Sequence, residues 1–146
     1  MRYDELTRRF GDVSFRSLEP AVLDELLTAA RREGRLEEFA RACGRVEPSE
    51  TTPMGWTRPS DLVAAEELPK IGKLLFVEGR RERSGMDAVV DFVGLHRTIR
   101  FGGYQWGYGG TGPQGLCEAM VICGVPRERA WPYIQAQQAH HWIYIP

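Results

Sequence analysis

The sequence predicts an α+β fold: a small antiparallel sheet with helices packed on one face, preceded by an N-terminal helical region. Three observations point there. Apolar residues recur at three- and four-residue spacing through the first third of the chain. Two β-like runs, Leu74-Leu75-Phe76-Val77 and Ala88-Val89-Val90-Asp91-Phe92-Val93, flank a polar stretch from Gly79 to Gly85. Helical spacing then returns behind a glycine-rich segment that ends in Pro113. At 146 residues the chain is expected to form one domain, 1–69 helical and 70–146 α+β, with enough core to fold unaided.

Asp4 to Phe10 suits two helical turns stopped by Gly11. Ser17-Leu18-Glu19-Pro20 is a start signal, since proline costs little in a first helical turn, where its missing N–H would go unpaired. Leu23, Leu26, Leu27 and Ala30 then share one face, as do Leu36, Phe39, Ala40 and Cys43 in a following short helix, with Gly34 and Gly44 as terminators. Residues 45–59 hold three prolines among Ser and Thr and read as a loop, with Met54 and Trp56 packing it down. Ser60 is expected to cap a short helix running to Leu68. The β-like runs form a hairpin, Thr98 to Phe101 is a third short strand, and Trp142 to Ile145 a last one. Between them, Leu116, Ala119, Met120 and Cys123 mark a helix ended by Gly124, and Pro126 starts another, which Pro132 interrupts or restarts.

A composition 42% hydrophobic and 27% charged is that of a soluble globular protein, and a net charge of −1 exerts no overall pull on nucleic acid or anionic membrane. The charge is distributed unevenly. Residues 46–69 carry −4 and residues 70–104 carry +3, a pattern suited to local patches for a protein partner. Only Lys70 and Lys73 among the 19 cationic residues are lysines. An odd set of cysteines (Cys43, Cys117, Cys123), no basic-then-apolar leader and no apolar run of the ~20 residues a span needs imply a cytoplasmic protein with reduced thiols and no membrane contact.

The most specialised backbone lies in Trp106-Gly107-Tyr108-Gly109-Gly110-Thr111-Gly112-Pro113. Its first reading is a tight turn into a helix, with Trp106 and Tyr108 plugging the core. Its second is an anion site, where N–H groups of Gly109, Gly110, Thr111 and Gly112 meet the positive end of the helix dipole and Arg80, Arg81 or Arg100 supplies a cation. A Walker loop needs Gly-Lys-Ser/Thr at the helix start, and this chain has Gly112-Pro113-Gln114.

Together with Phe76-Val77-Glu78-Gly79-Arg80, the two β runs, Tyr104-Gln105, and Leu116 with Ala119, this motif resembles a small uncharacterised domain family with a WGYGGSGP signature, common in phages and mobile elements. The resemblance covers about residues 70–146. It departs at Thr111 and at Gln114-Gly115-Leu116, and it implies no activity, catalytic residue or cofactor.

Elsewhere, His140 and His141 diverge by about 100° if helical, and no ligand spacing for zinc is present. Cys117 follows the glycine loop, but its neighbours Leu116 and Met120 place it on a core face. Asp91 and Asp87 fall on one face of the second β run, the wet one. Arg8, Arg9, Arg31, Arg32, Arg35, Arg81 and Arg83 are the candidate partner-binding residues, each group with acids nearby. The expected function is therefore a non-catalytic, protein-binding regulatory module without cofactor or metal, directed at a host protein complex such as a transcription or defence machine. The alternatives are a small enzyme or phosphate-ligand-binding protein using the glycine loop, and a nucleic-acid-binding module.

Overall fold

The computed structural model describes residues 2–11, 15–43, 48, 50–52, 60–81 and 88–146. The chain divides into two compact units, residues 1–46 and 47–144.

In the first unit, α1 (Tyr3–Arg8), α2 (Pro20–Arg32) and α3 (Leu36–Ala42) follow the apolar spacing of the sequence. Pro20 occupies the first turn of α2, and Leu23, Leu26, Leu27 and Ala30 are buried along one stripe. Phe39 is fully buried and its ring lies 6.0 Å from that of Phe15. Arg35 closes the α2–α3 corner. It bonds Asp4 at 2.6 Å and Glu38 at 2.7 Å, and its guanidinium lies 4.6 Å from the Tyr3 ring centre.

The second unit is built on a five-stranded sheet in the order β1-β4-β3-β2-β5. Strands β2 (Leu74–Arg81), β3 (Ala88–Gly94), β4 (Thr98–Gly102) and β5 (His141–Tyr144) are antiparallel neighbours. The fold is α+β, as the periodicities require. One strand falls where a loop is expected: β1 (Glu50–Thr52) pairs in parallel with β4. Three residues are too few for an alternation of apolar and polar side chains to show in the sequence. Gly44, Met54, Trp56, Arg83, Gly85 and Asp87 lie outside the described residues.

Strand alternation gives the sheet two different faces. Val77, Val90, Phe92, Ile99, Phe101, Trp142 and Tyr144 join one core with Val63 and Ala64 of α4 (Ser60–Glu67), Leu116, Ala119 and Met120 of α5 (Thr111–Ile122), and Ala130 and Ile134 of α6 (Arg127–Ala136). These three helices cover that face. Ser60 is the first residue of α4, and its hydroxyl donates to the Gly102 carbonyl at 3.0 Å, tying the helix to β4. Pro132 sits inside α6 without ending it.

The other face carries a row of charges across the strands. Arg100 donates to both oxygens of Asp91, at 2.8 and 3.0 Å, and Arg80 reaches Asp91 at 3.4 Å and Glu78 at 3.8 Å. His141 and Glu78 meet at 2.9 Å. Asp91 is thus buried, 3% exposed, where the sequence places it in water. A forked arginine pair satisfies the carboxylate and makes burial tolerable. Removing it takes the forked carboxylate from Arg100 and leaves Arg80 with Glu78 at 3.8 Å. Asp91→Ala is expected to cost about 2–3 kcal/mol, below the cost of breaking a fully buried pair, as read from the urea midpoint.

Candidate binding cleft

The glycine motif forms a closing turn. The Trp106 indole is 1% exposed and donates Nε1–H to the Ala139 carbonyl at 2.8 Å. The Gly107 N–H donates to the carbonyl of Ile134 at 2.8 Å. Gly107 has φ +87°, and a Cβ there would lie 2.8 Å from the Gln137 carbonyl oxygen, so a side chain is excluded by both strain and space. The turn therefore fastens the start of α5 to the end of α6 and to the segment entering β5.

Tyr108 does not plug the core. It is 52% exposed, and its ring lies over Gly110, where an added Cβ would sit 2.5 Å from Cε2. Nor does the structure bring Arg80 to this loop, because Arg80 points to the charged face with Asp91. Its neighbour Arg81 stands there instead, with its guanidinium 4.8 Å from the Trp106 ring centre. Gly110 provides an extended N-cap to α5 with no side-chain capping bond. Thr111 is exposed, Gly109 lies 3.5 Å (as a virtual Cβ) from the Gln135 amide, and Gly112 packs on Gln105.

Beyond Thr111 a cleft of about 510 Å³ opens, lined by Asp61 of α4, by Thr111, Gln114, Gly115, Cys117 and Glu118 of α5, and by Arg127 and Trp131 of α6. That volume is in the range of small-ligand and side-chain-binding pockets. Its walls are held in place. Gly115 lets α5 approach closely: a Cβ would be 2.8 Å from the Tyr104 ring and 3.2 Å from the Asp61 carboxylate. Tyr104 stacks on Phe101 with centres 5.0 Å apart and donates its hydroxyl to Asp61 at 3.4 Å. Burial, with Asp61 alongside, pushes the Tyr104 phenol well above its ordinary range, so it remains a donor. Across the cleft, Arg127 grips Glu118 with both terminal nitrogens, and these hydrogen bonds hold the Glu118 carboxyl below the usual range.

That pair works as a strap with a definite pH sense. A depressed carboxyl stabilises the fold above its unfolded value, about 4.3, and the contribution disappears as pH falls through the lower folded value. Both side chains are more than half exposed, so the strap adds little stability.

The thiols are quiet. Cys117 is 1% exposed, and burial pushes it up from its ordinary value. Burial also raises Cys123, to about 12. Cys43 is buried within the first unit. Ellman's reagent near neutral pH is therefore expected to label none of the three at the rate of a free thiol until denaturant is added. A fast-reacting thiol in the native protein would contradict this account of the cleft.

The remaining described arginine candidates belong to the first unit. Arg8 and Arg9 are exposed at the end of α1, and Arg31 and Arg32 are exposed in the last turn of α2. Arg35 is engaged with Asp4 and Glu38. Sequence reasoning missed Asp61, Glu118, Arg127 and Trp131; the acidic balance of residues 46–69 was an advance signal for Asp61 alone. Among the described residues no group of three or more His, Cys, Asp or Glu is placed to hold a metal ion, and no helix is long and apolar enough to cross a membrane. No family model matches the chain, and no curated protein or solved structure shows significant similarity to it.

Proposed function

We propose that the chain is a non-catalytic, protein-binding regulatory module that docks its partner in the cleft between α4, α5 and α6. One observation carries the reading: the cleft is built on three packed helices, and its described side chains form no nucleophile–base pair. Nucleophilic chemistry needs a nucleophile beside a base. The cleft's one thiol is buried and held protonated, Glu118 is strapped to Arg127, and Asp61 accepts from Tyr104. A phosphate-bearing ligand would meet Asp61 and Glu118 as like charges. Of the arginines a nucleic-acid surface could use, Arg35, Arg80, Arg97, Arg100 and Arg127 are already paired with carboxylates. The resemblance of the glycine motif to a domain carried by phages and mobile elements extends the proposal. The partner is then a component of a host machine, in transcription or defence, met in the cytoplasm.

The test is capture from bacterial lysate with wild-type protein and with Gln114→Arg as parallel baits. Gln114 is exposed on the cleft wall, so the added bulk leaves the core alone. A partner retained by the wild type and lost by the variant is the expected result. Equal recovery on both baits, or no specific partner on either, overturns the proposal.

A further inference from the structure

Helices α4 and α5 form two walls of the cleft, and neither carries a cation. Residues 60–67 include Asp61, Glu66 and Glu67, and residues 111–122 include Glu118. Two of these carboxylates are neutralised from outside: Glu118 by Arg127, and Glu67 by Lys70 and Arg97. Asp61 differs. Its partner among the described residues is the neutral Tyr104 hydroxyl, at 3.4 Å, so no described cation pairs with it. The same cleft holds the part-buried indole of Trp131, which packs against the core, and the exposed amide of Gln114.

We infer that the cleft receives an arginine side chain presented by a segment of the partner protein. This inference rests on the docking reading above and names the chemistry that docks. A guanidinium matches the lining in three respects. Its flat fork donates in parallel to a carboxylate such as Asp61, its plane stacks on an aromatic such as Trp131, and its outer N–H groups reach an amide oxygen such as that of Gln114. Its charge also complements a carboxylate that no described cation pairs. An ammonium would satisfy the charge but not the planar contacts, so lysine is expected to bind more weakly.

The test uses short acetylated peptides alternating glycine with arginine, lysine, citrulline or glutamate, titrated into the full-length protein labelled with ¹⁵N. The arginine peptide is expected to shift the Trp131 indole N–H and the Gly115 amide in a saturable way. Lysine should bind more weakly, and citrulline and glutamate not at all. Asp61→Asn keeps an acceptor for Tyr104 and should melt like the wild type, yet weaken arginine binding about tenfold or more, the loss expected when a charge-assisted bond becomes neutral. The inference is overturned if glutamate or citrulline binds as well as arginine, if Asp61→Asn binds unchanged, or if shifts appear away from Trp131 and Gly115. Lysate capture that is lost in Gln114→Arg but unchanged in Asp61→Asn would leave the docking surface standing and remove the arginine.

Discussion

Trp106→Ala is expected to destabilise the protein by about 3–5 kcal/mol, the usual cost of deleting a buried aromatic. The indole is 1% exposed, meets Trp142 edge to face at 5.3 Å, and carries the hydrogen bond to Ala139. Its loss opens a cavity and frees the turn that joins α5 to α6. Tyr108→Ala, only two residues on, should stay within about 0.5 kcal/mol of the wild type, because an exposed ring has little to lose. Paired urea melts would show the contrast. Similar midpoints for the two variants would remove Trp106 from its place as the anchor.

Gly79→Val is the second large effect. Gly79 lies on the helix-covered face of β2, opposite Trp142 of β5, and a Cβ there would fall inside the indole, 2.6 Å from Nε1 and closer still to the ring carbons. Trp142 is in turn packed against Tyr133, with ring centres 5.8 Å apart. It cannot swing away without opening the aromatic cluster, so the variant is expected to lose about 3 kcal/mol, at the upper end for overpacking a core. β5 should detach first, because it is an edge strand with one neighbour. Amide exchange at Trp142 and Tyr144 that accelerates before that at Val90 and Phe92 would be the expected sign. A variant as stable as the wild type would contradict the packing described.

The elements were legible where punctuation and period agree. Pro20, Gly34, Gly124 and Pro126 mark helix ends in sequence and in structure alike. The pairing of β2 with β3 announces itself by two short apolar runs on either side of a polar stretch. What stayed hidden depends on partners remote in the chain. Asp91 reads as a wet residue until β4 sets Arg100 opposite it. Trp106 and Tyr108 look equivalent between glycines, and only the carbonyl of Ala139 and the ring over Gly110 separate buried from exposed. The cleft joins α4 to α5 and α6, and no local pattern links Asp61 to Trp131. Glycine placement was visible from the start. Its role, bringing α5 against Tyr104 at Gly115 and turning the chain at Gly107, required the neighbours.

Under the proposed docking function the cleft and the exposed arginines of α2 are the two candidate surfaces, and one measurement separates them. A photo-reactive benzophenone amino acid replaces Gln114 in one protein and Thr28, exposed on α2, in another. Both are irradiated in bacterial lysate and the adducts are compared by mass spectrometry. A specific adduct through position 114 and none through position 28 is the predicted result. An adduct confined to position 28 would move the interface to α2 and contradict the assignment of the cleft.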